Sequence, residues 1–176
     1  MEGKGIPSPN HVEAFVYASK AAASHVPQAQ HLVAVMYEYG LGVEQNFPKA
    51  AEFYKRAAEQ RYVESMYHLA LMYLFGRGVD RSYPRALTLL EAGAVADHAP
   101  SCYYMGIMKT YGYGTFIDYN EAARWFEMAA SLDDDRVSDE ARGIAAQLNG
   151  LIEEADAYNN KVIEQYRKRE EISSEI

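Results

Sequence analysis

A shift of 36 residues carries this chain onto itself. Gly40-Leu41-Gly42-Val43, Gly76-Arg77-Gly78-Val79 and Gly112-Tyr113-Gly114-Thr115 stand 36 residues apart without a gap. The same offset relates Ala50-Ala51, Ala86-Leu87 and Ala122-Ala123, and again Ala57-Ala58, Gly93-Ala94 and Ala129-Ala130. A period of this length marks a repeat architecture, in which each unit is too small to bury its own apolar face and must stack on its neighbours.

Each repeated position has a physical role. Before the glycines run apolar stretches (Val33, Ala34 and Tyr37; Leu69, Ala70 and Tyr73; Met105, Gly106 and Ile107) at the three-to-four spacing of one helix face. A glycine accepts the positive φ that ends such a helix. Asn46, Ser82 and Asp118 are good N-cap types for a second helix, and Pro48 and Pro84 follow in its first turn, where a missing N–H does no harm. Small residues then let that helix sit close to its neighbour, while Phe53, Tyr54, Leu89, Leu90, Trp125 and Phe126 fill the space between layers. The pattern predicts antiparallel helix pairs over 28–39 with 47–60, 64–75 with 83–95, and 101–111 with 119–131.

These residues resemble the Sel-one-like repeat (SLR) family, relatives of the tetratricopeptide repeats. The first copy keeps Ala29, Tyr37, Gly40-x-Gly42-Val43, Lys49-Ala50, Phe53-Tyr54 and Ala57-Ala58. The second keeps Leu69-Ala70, Tyr73, Gly76-x-Gly78-Val79 and Arg85-Ala86, and the third Met105-Gly106, Gly112-x-Gly114, Asp118, Trp125-Phe126 and Ala129-Ala130. Lys109 departs from the family's Tyr, Thr115 from its Val, and Gln60-Arg61 lacks the glycine after the second helix. The resemblance implies an all-α, right-handed α-α superhelix, a solenoid of about three 36-residue helix-turn-helix repeats with a half repeat at the N-terminus and a C-terminal capping helix. The expected division is a flexible N-terminus (1–10), a solenoid (11–150) and a cap (151–172) before a short tail (173–176). Within the solenoid, a partial repeat (11–27) precedes repeats 28–63, 64–99 and 100–135 and a degenerate repeat (136–150), in which Leu148 replaces the turn glycine. After Gly150, Leu151, Ile152, Ala155, Tyr158, Val162, Ile163 and Tyr166 form an apolar stripe on a polar helix, suited to capping a solenoid or to joining a dimer.

The composition narrows function by exclusion. A formal net charge of −8 leaves no basic stripe for a nucleic-acid backbone, and Arg167, Lys168 and Arg169 are followed at once by Glu170 and Glu171. No apolar run reaches the ~20 residues of a membrane span. The single Cys102 cannot form an intramolecular disulfide or a cysteine-based zinc cage, and with no visible signal peptide a cytoplasmic location is expected. His11, His25, His31, His68 and His98 show no metal-ligand spacing, and Asp133-Asp134-Asp135 lacks that of an EF-hand. Neither a catalytic constellation nor a cofactor is expected.

The expected function is therefore a non-enzymatic scaffold or adaptor that binds a protein or peptide in a concave groove lined by the first helices. Stepping off the structural stripe by helical geometry places His31, Val35 and Glu38, then Tyr67, Leu71 and Leu74, then Tyr103, Ile107 and Thr110 on that groove. The resemblance also implies a narrower alternative, an immunity or inhibitor protein neutralising a secreted toxin or enzyme, for which an acidic chain is electrostatically suited. A β-lactam-binding hydrolase is the remaining alternative; the relatives associated with it are cysteine-rich, unlike this chain.

Overall fold

The glycine pairs do two different jobs in the computed structural model, which describes residues 9–132 and 134–174, with side chains at 10–132 and 134–165. Among the described residues the chain is helical: α1 (Pro9–Ala23), α2 (Pro27–Tyr39), α3 (Phe47–Glu59), α4 (Val63–Phe75), α5 (Tyr83–Val95), α6 (Ala99–Tyr111), α7 (Tyr119–Ser131) and α8 (Ser138–Ser174). Gly40, Gly76 and Gly112 end α2, α4 and α6 at φ +69°, each N–H bonding back to Met36, Met72 or Met108. Gly42, Gly78 and Gly114 are also left-handed, and they lie against the start of the preceding repeat's second helix, at His11, Phe47 and Tyr83. The first glycine closes a helix; the second sets the distance between repeats.

The return turns, from second helix to next first helix, use His25, Arg61 and Asp97 at φ +54° to +63°. The glycine missing from Gln60-Arg61 is thus replaced by a side chain held in the same left-handed geometry, at a cost of roughly 1 kcal/mol. Asn46 and Asp118 cap α3 and α7 by accepting from the N–H of Lys49 and Glu121, both at 2.9 Å. Ser82 sits at the same place but makes no capping bond, so the expected cap of α5 is absent and Pro84 alone marks its first turn.

Packing follows the chain order, each helix against the next. Tyr54, Leu90 and Phe126, equivalent by the repeat, are fully buried, and each lies against small residues such as Ala50, Ala86 and Ala122. Lys109 compensates for its departure from the repeat through an ion pair of 2.7 Å to Glu121. At the N-terminal end α1 is a second helix without the first helix of its own repeat among the described residues. Tyr17, equivalent to the half-buried Phe53 that stacks on Tyr37, is accordingly 70 % exposed.

At the other end, residues 138–174 form a single uninterrupted helix where a degenerate first helix and a separate cap were expected. Ala141, Ala145 and Leu148 bury its opening turns in the core, and Asn149 donates to Glu127 at 2.7 Å. From Leu151 onward the helix leaves the core, with Leu151, Tyr158 and Ile163 exposed. Of the expected features, residues 1–8, Asp133 and the last two residues, together with the side chain of Tyr166, lie outside what is described.

Candidate functional site

The first helices α2, α4 and α6 share one layer, and two neighbouring repeat positions bridge them. One is His31, Tyr67 and Tyr103; the next is Leu32, His68 and Tyr104. Their rings form a continuous ladder: Tyr62 to His31 (5.2 Å), His31 to His68 (5.5 Å), His68 to Tyr67 (5.3 Å), Tyr67 to Tyr104 (5.8 Å) and Tyr104 to Tyr103 (5.7 Å). Every ring in it is half-buried, so one side packs and the other remains accessible. Leu32 shows the rule by exception. Its equivalents lean on the preceding first helix, none precedes α2 among the described residues, and Leu32 is exposed.

Polar groups pin the ladder in place. The Tyr54 hydroxyl donates to Glu38 Oε2 at 2.6 Å, and that carboxylate lies 3.8 Å from His68 and 3.9 Å from Arg77. Burial and the bond to Glu38 push the Tyr54 phenol well above its ordinary value. His31 Nδ1 lies 2.9 Å from the buried Ser65 hydroxyl, and His98 Nδ1 lies 2.8 Å from Ser101. The Tyr103 hydroxyl reaches forward to donate to Glu140 on α8 at 2.7 Å. In the turn before α8, Arg136 is held on Asp134, whose carboxyl is drawn down to about 2 by that guanidinium.

His31, His68 and His98 are each held below the ordinary histidine value, burial being the largest cause in all three. The carboxylates of Glu38 and Glu64 pull the other way with smaller effect on His31 and His68. The folded chain thus keeps these rings neutral under conditions that charge them in the unfolded chain. Their stabilisation is complete above about pH 6.5 and is lost as the pH falls below it. Thermal melts at pH 7.5 and 5.0 should show Tm falling on acidification, and His68→Phe should flatten that dependence. A Tm that holds or rises in acid would show that the rings are not held neutral.

Seven of the nine residues expected on the groove are half-buried on the first-helix layer: His31, Val35, Tyr67, Leu71, Tyr103, Ile107 and Thr110. Two are not at its surface. Leu74 is 5 % exposed and belongs to the core between α4, α5 and α6, and Glu38 is 7 % exposed because its carboxylate turns inward to Tyr54. Positions 38 and 74 turn inward, which helical spacing alone does not reveal, while the equivalent Thr110 stays half-buried. The scattered histidines also come together, since a separation of 37 residues puts His31 and His68 side by side on adjacent first helices. A second repeated set went unread: Tyr39, Phe75 and Tyr111, the last residue of each first helix, are 52–63 % exposed and line the turn edge of the layer. Their signal was in the sequence, as three aromatics 36 residues apart.

Other candidate places carry less chemistry. An apolar hollow of about 440 Å³ lies between α3 and α5, with Ala58, Leu69, Tyr73 and Leu89 among its lining, and Lys55, Glu59 and Arg85 as its charged residues. Cys102 is a fully buried free thiol raised to about 11 by burial. Among the described residues no group of three or more His, Cys, Asp or Glu side chains is arranged to hold a metal ion, and no helix is long and apolar enough to cross a membrane.

Stacked antiparallel helix pairs with a glycine turn in every unit define a tetratricopeptide-like repeat protein. More closely, the chain belongs to the Sel1 repeat family, whose model matches residues 1–25, 27–62, 63–98 and 99–134. A Sel1 repeat protein from Oxalobacter formigenes is similar at 32 % identity over 73 % of this chain and 53 % of its own, with a TM-score of 0.67. The protective antigen c5321 of uropathogenic Escherichia coli shares the fold at 24 % identity and TM-score 0.67, over 76 % of this chain and 33 % of that one. Helicobacter pylori cysteine rich protein B shares it at 20 % identity and TM-score 0.59, over 81 % of this chain and 99 % of that one. The chain spans about half the length of the first relative and a third of the second. No curated protein matches it. Sel1 repeat proteins act as non-enzymatic protein–protein interaction scaffolds.

Proposed function

We propose that this chain binds an extended peptide segment of another protein along its first-helix face. The observation that carries this reading is the half-buried aromatic ladder from Tyr62 to Tyr103, continued at the turn edge by Tyr39, Phe75 and Tyr111. Tyrosines packed on one side and accessible on the other are effective contact residues at low entropic cost. Val35, Leu71 and Ile107 supply apolar footing between the rings. Peptides selected from a display library against the intact chain test the reading when a photo-crosslinking residue replaces Leu71 or Tyr103 in turn, with Val95 on α5 as the control. Crosslinks are expected from the first two positions; crosslinks from Val95 alone would place binding on the second helices instead.

A second reading concerns α8, where Ile152, Ala155, Asn159 and Val162 extend the four-three spacing set by Ala141, Ala145 and Leu148. That seam, flanked by exposed Leu151, Tyr158 and Ile163, supports pairing of two copies, with Asn159 setting the register. A monomeric mass by sedimentation at high concentration would remove it.

A further inference from the structure

His98 caps α6 and is nine-tenths buried, yet among the described residues its Nε2 has no hydrogen-bond partner. Nδ1 is occupied by the Ser101 hydroxyl. Glu64 Oε2 lies 3.4 Å from Nε2, and Arg136 Nη1 approaches that same oxygen only to 3.7 Å. Both separations exceed the roughly 2.7–2.9 Å of a formed charge-assisted hydrogen bond. When Nδ1–H donates to Ser101, Nε2 turns a lone pair toward the carboxylate. Two acceptors then face one another, and a donor bearing several N–H groups satisfies both at once. Burial holds His98 below the ordinary histidine value, so near pH 7 the ring is neutral and one nitrogen carries a lone pair, which the tautomer protonated at Nδ1 places on Nε2.

The surface beside His98 is aromatic. The Tyr67 ring packs on His98 at 5.2 Å and continues through His68 and Tyr104. A planar cation lies well on such a surface; a compact ammonium gains less from it. A guanidinium of the chain itself already approaches Glu64. Arg136 is about half exposed, spends its Nε and Nη2 on Asp134, and leaves only Nη1 loosely over Glu64.

We infer that the corner formed by Glu64, Tyr67 and His98 receives the guanidinium of an arginine carried by the bound peptide, with Arg136 giving up its place over Glu64. This deepens the first-helix-face reading and rests on it. The arginine side chain lies across Tyr67 and its fork donates to the Glu64 carboxylate and His98 Nε2. The corner lies on the ladder between α4 and α6, so the backbone of an arginine seated there can continue along Leu71 or Tyr103.

The test uses the intact chain and N-acetyl-arginine amide, with the lysine and citrulline counterparts as controls, read by NMR of the histidine ring nitrogens. A saturable shift at His98 Nε2 is expected, with arginine bound about tenfold more tightly than the neutral citrulline. Glu64→Gln should weaken arginine about tenfold with Tm unchanged, and Arg136→Ala should tighten it by removing the competitor. The inference is overturned if His98 does not respond in either the parent chain or Arg136→Ala, if citrulline binds equally, or if Glu64→Gln keeps its affinity. Library peptides that crosslink through Leu71 and Tyr103 but show no arginine preference would also overturn it, leaving the first-helix-face reading intact. Arginine bound at His98 while peptides crosslink only from Val95 would reject that reading and leave the pocket standing.

Discussion

Gly78→Ala is expected to destabilise the fold by roughly 2–5 kcal/mol, the sum of left-handed backbone strain and overpacking. Gly78 sits at φ +69°, and a Cβ placed there meets the Cβ of Phe47 at 2.7 Å and its backbone closer still. Phe47 opens α3, so the added methyl must push one repeat away from the next. Gly76→Ala is the matched control: its φ is also +69°, but its nearest neighbour would be Arg81 Cβ at 3.4 Å. It should therefore cost the backbone part alone, about 1–2 kcal/mol. Gly143, on α8 with nothing within 4 Å, should gain about 0.5–1 kcal/mol from the same change. Urea unfolding of the three variants tests the order. Equal losses at Gly76 and Gly78 would show that the second glycine of the pair does not set the repeat spacing.

The contrast between these glycines explains what sequence can and cannot reveal here. The offset of 36 residues was visible because the turn and the interlayer contacts both demand small side chains, and those demands recur in every unit. Position within the unit was therefore legible, and so were the helix pairs. Direction around each first helix was less so. Glu38 and Leu74 are equivalent by the repeat and both turn inward, one to reach Tyr54 on the second helix of its own repeat and the other to fill the core. Only the layer beyond the helix decides that, and helical periodicity describes one helix at a time. The corner around His98 was hidden more deeply. It joins the first turn of α4, the cap of α6 and Arg136 in the turn before α8. Glu64 and Arg136 stand two periods apart, but their opposite charges leave no self-similar signal, and His98 falls on another register.

Phe126→Ala should cost about 3–5 kcal/mol, with the loss reaching the binding face as well as the core. The ring is 1 % exposed and closes the space between α6 and α7. Two groups on α6 touch it. Gly106 lies so near that a Cβ there would stand 2.8 Å from the ring, and Tyr103 meets it edge-on at 5.4 Å between centroids. Gly106→Ala alone should destabilise by about 1–3 kcal/mol through overpacking, less the gain in helix propensity. In the double variant the new methyl enters the space that the ring has left. Its loss should therefore fall short of the sum of the single losses by at least about 1 kcal/mol. Strict additivity in urea unfolding would show that ring and glycine do not share that space. Tyr103 supplies the second readout. Having lost the ring beneath it, its side chain keeps the Glu140 bond and the contact with Tyr104, so crosslinking of bound peptide from position 103 should fall in Phe126→Ala more than from position 71. The volume of one buried side chain on a second helix would then govern the position of a tyrosine on the surface that binds.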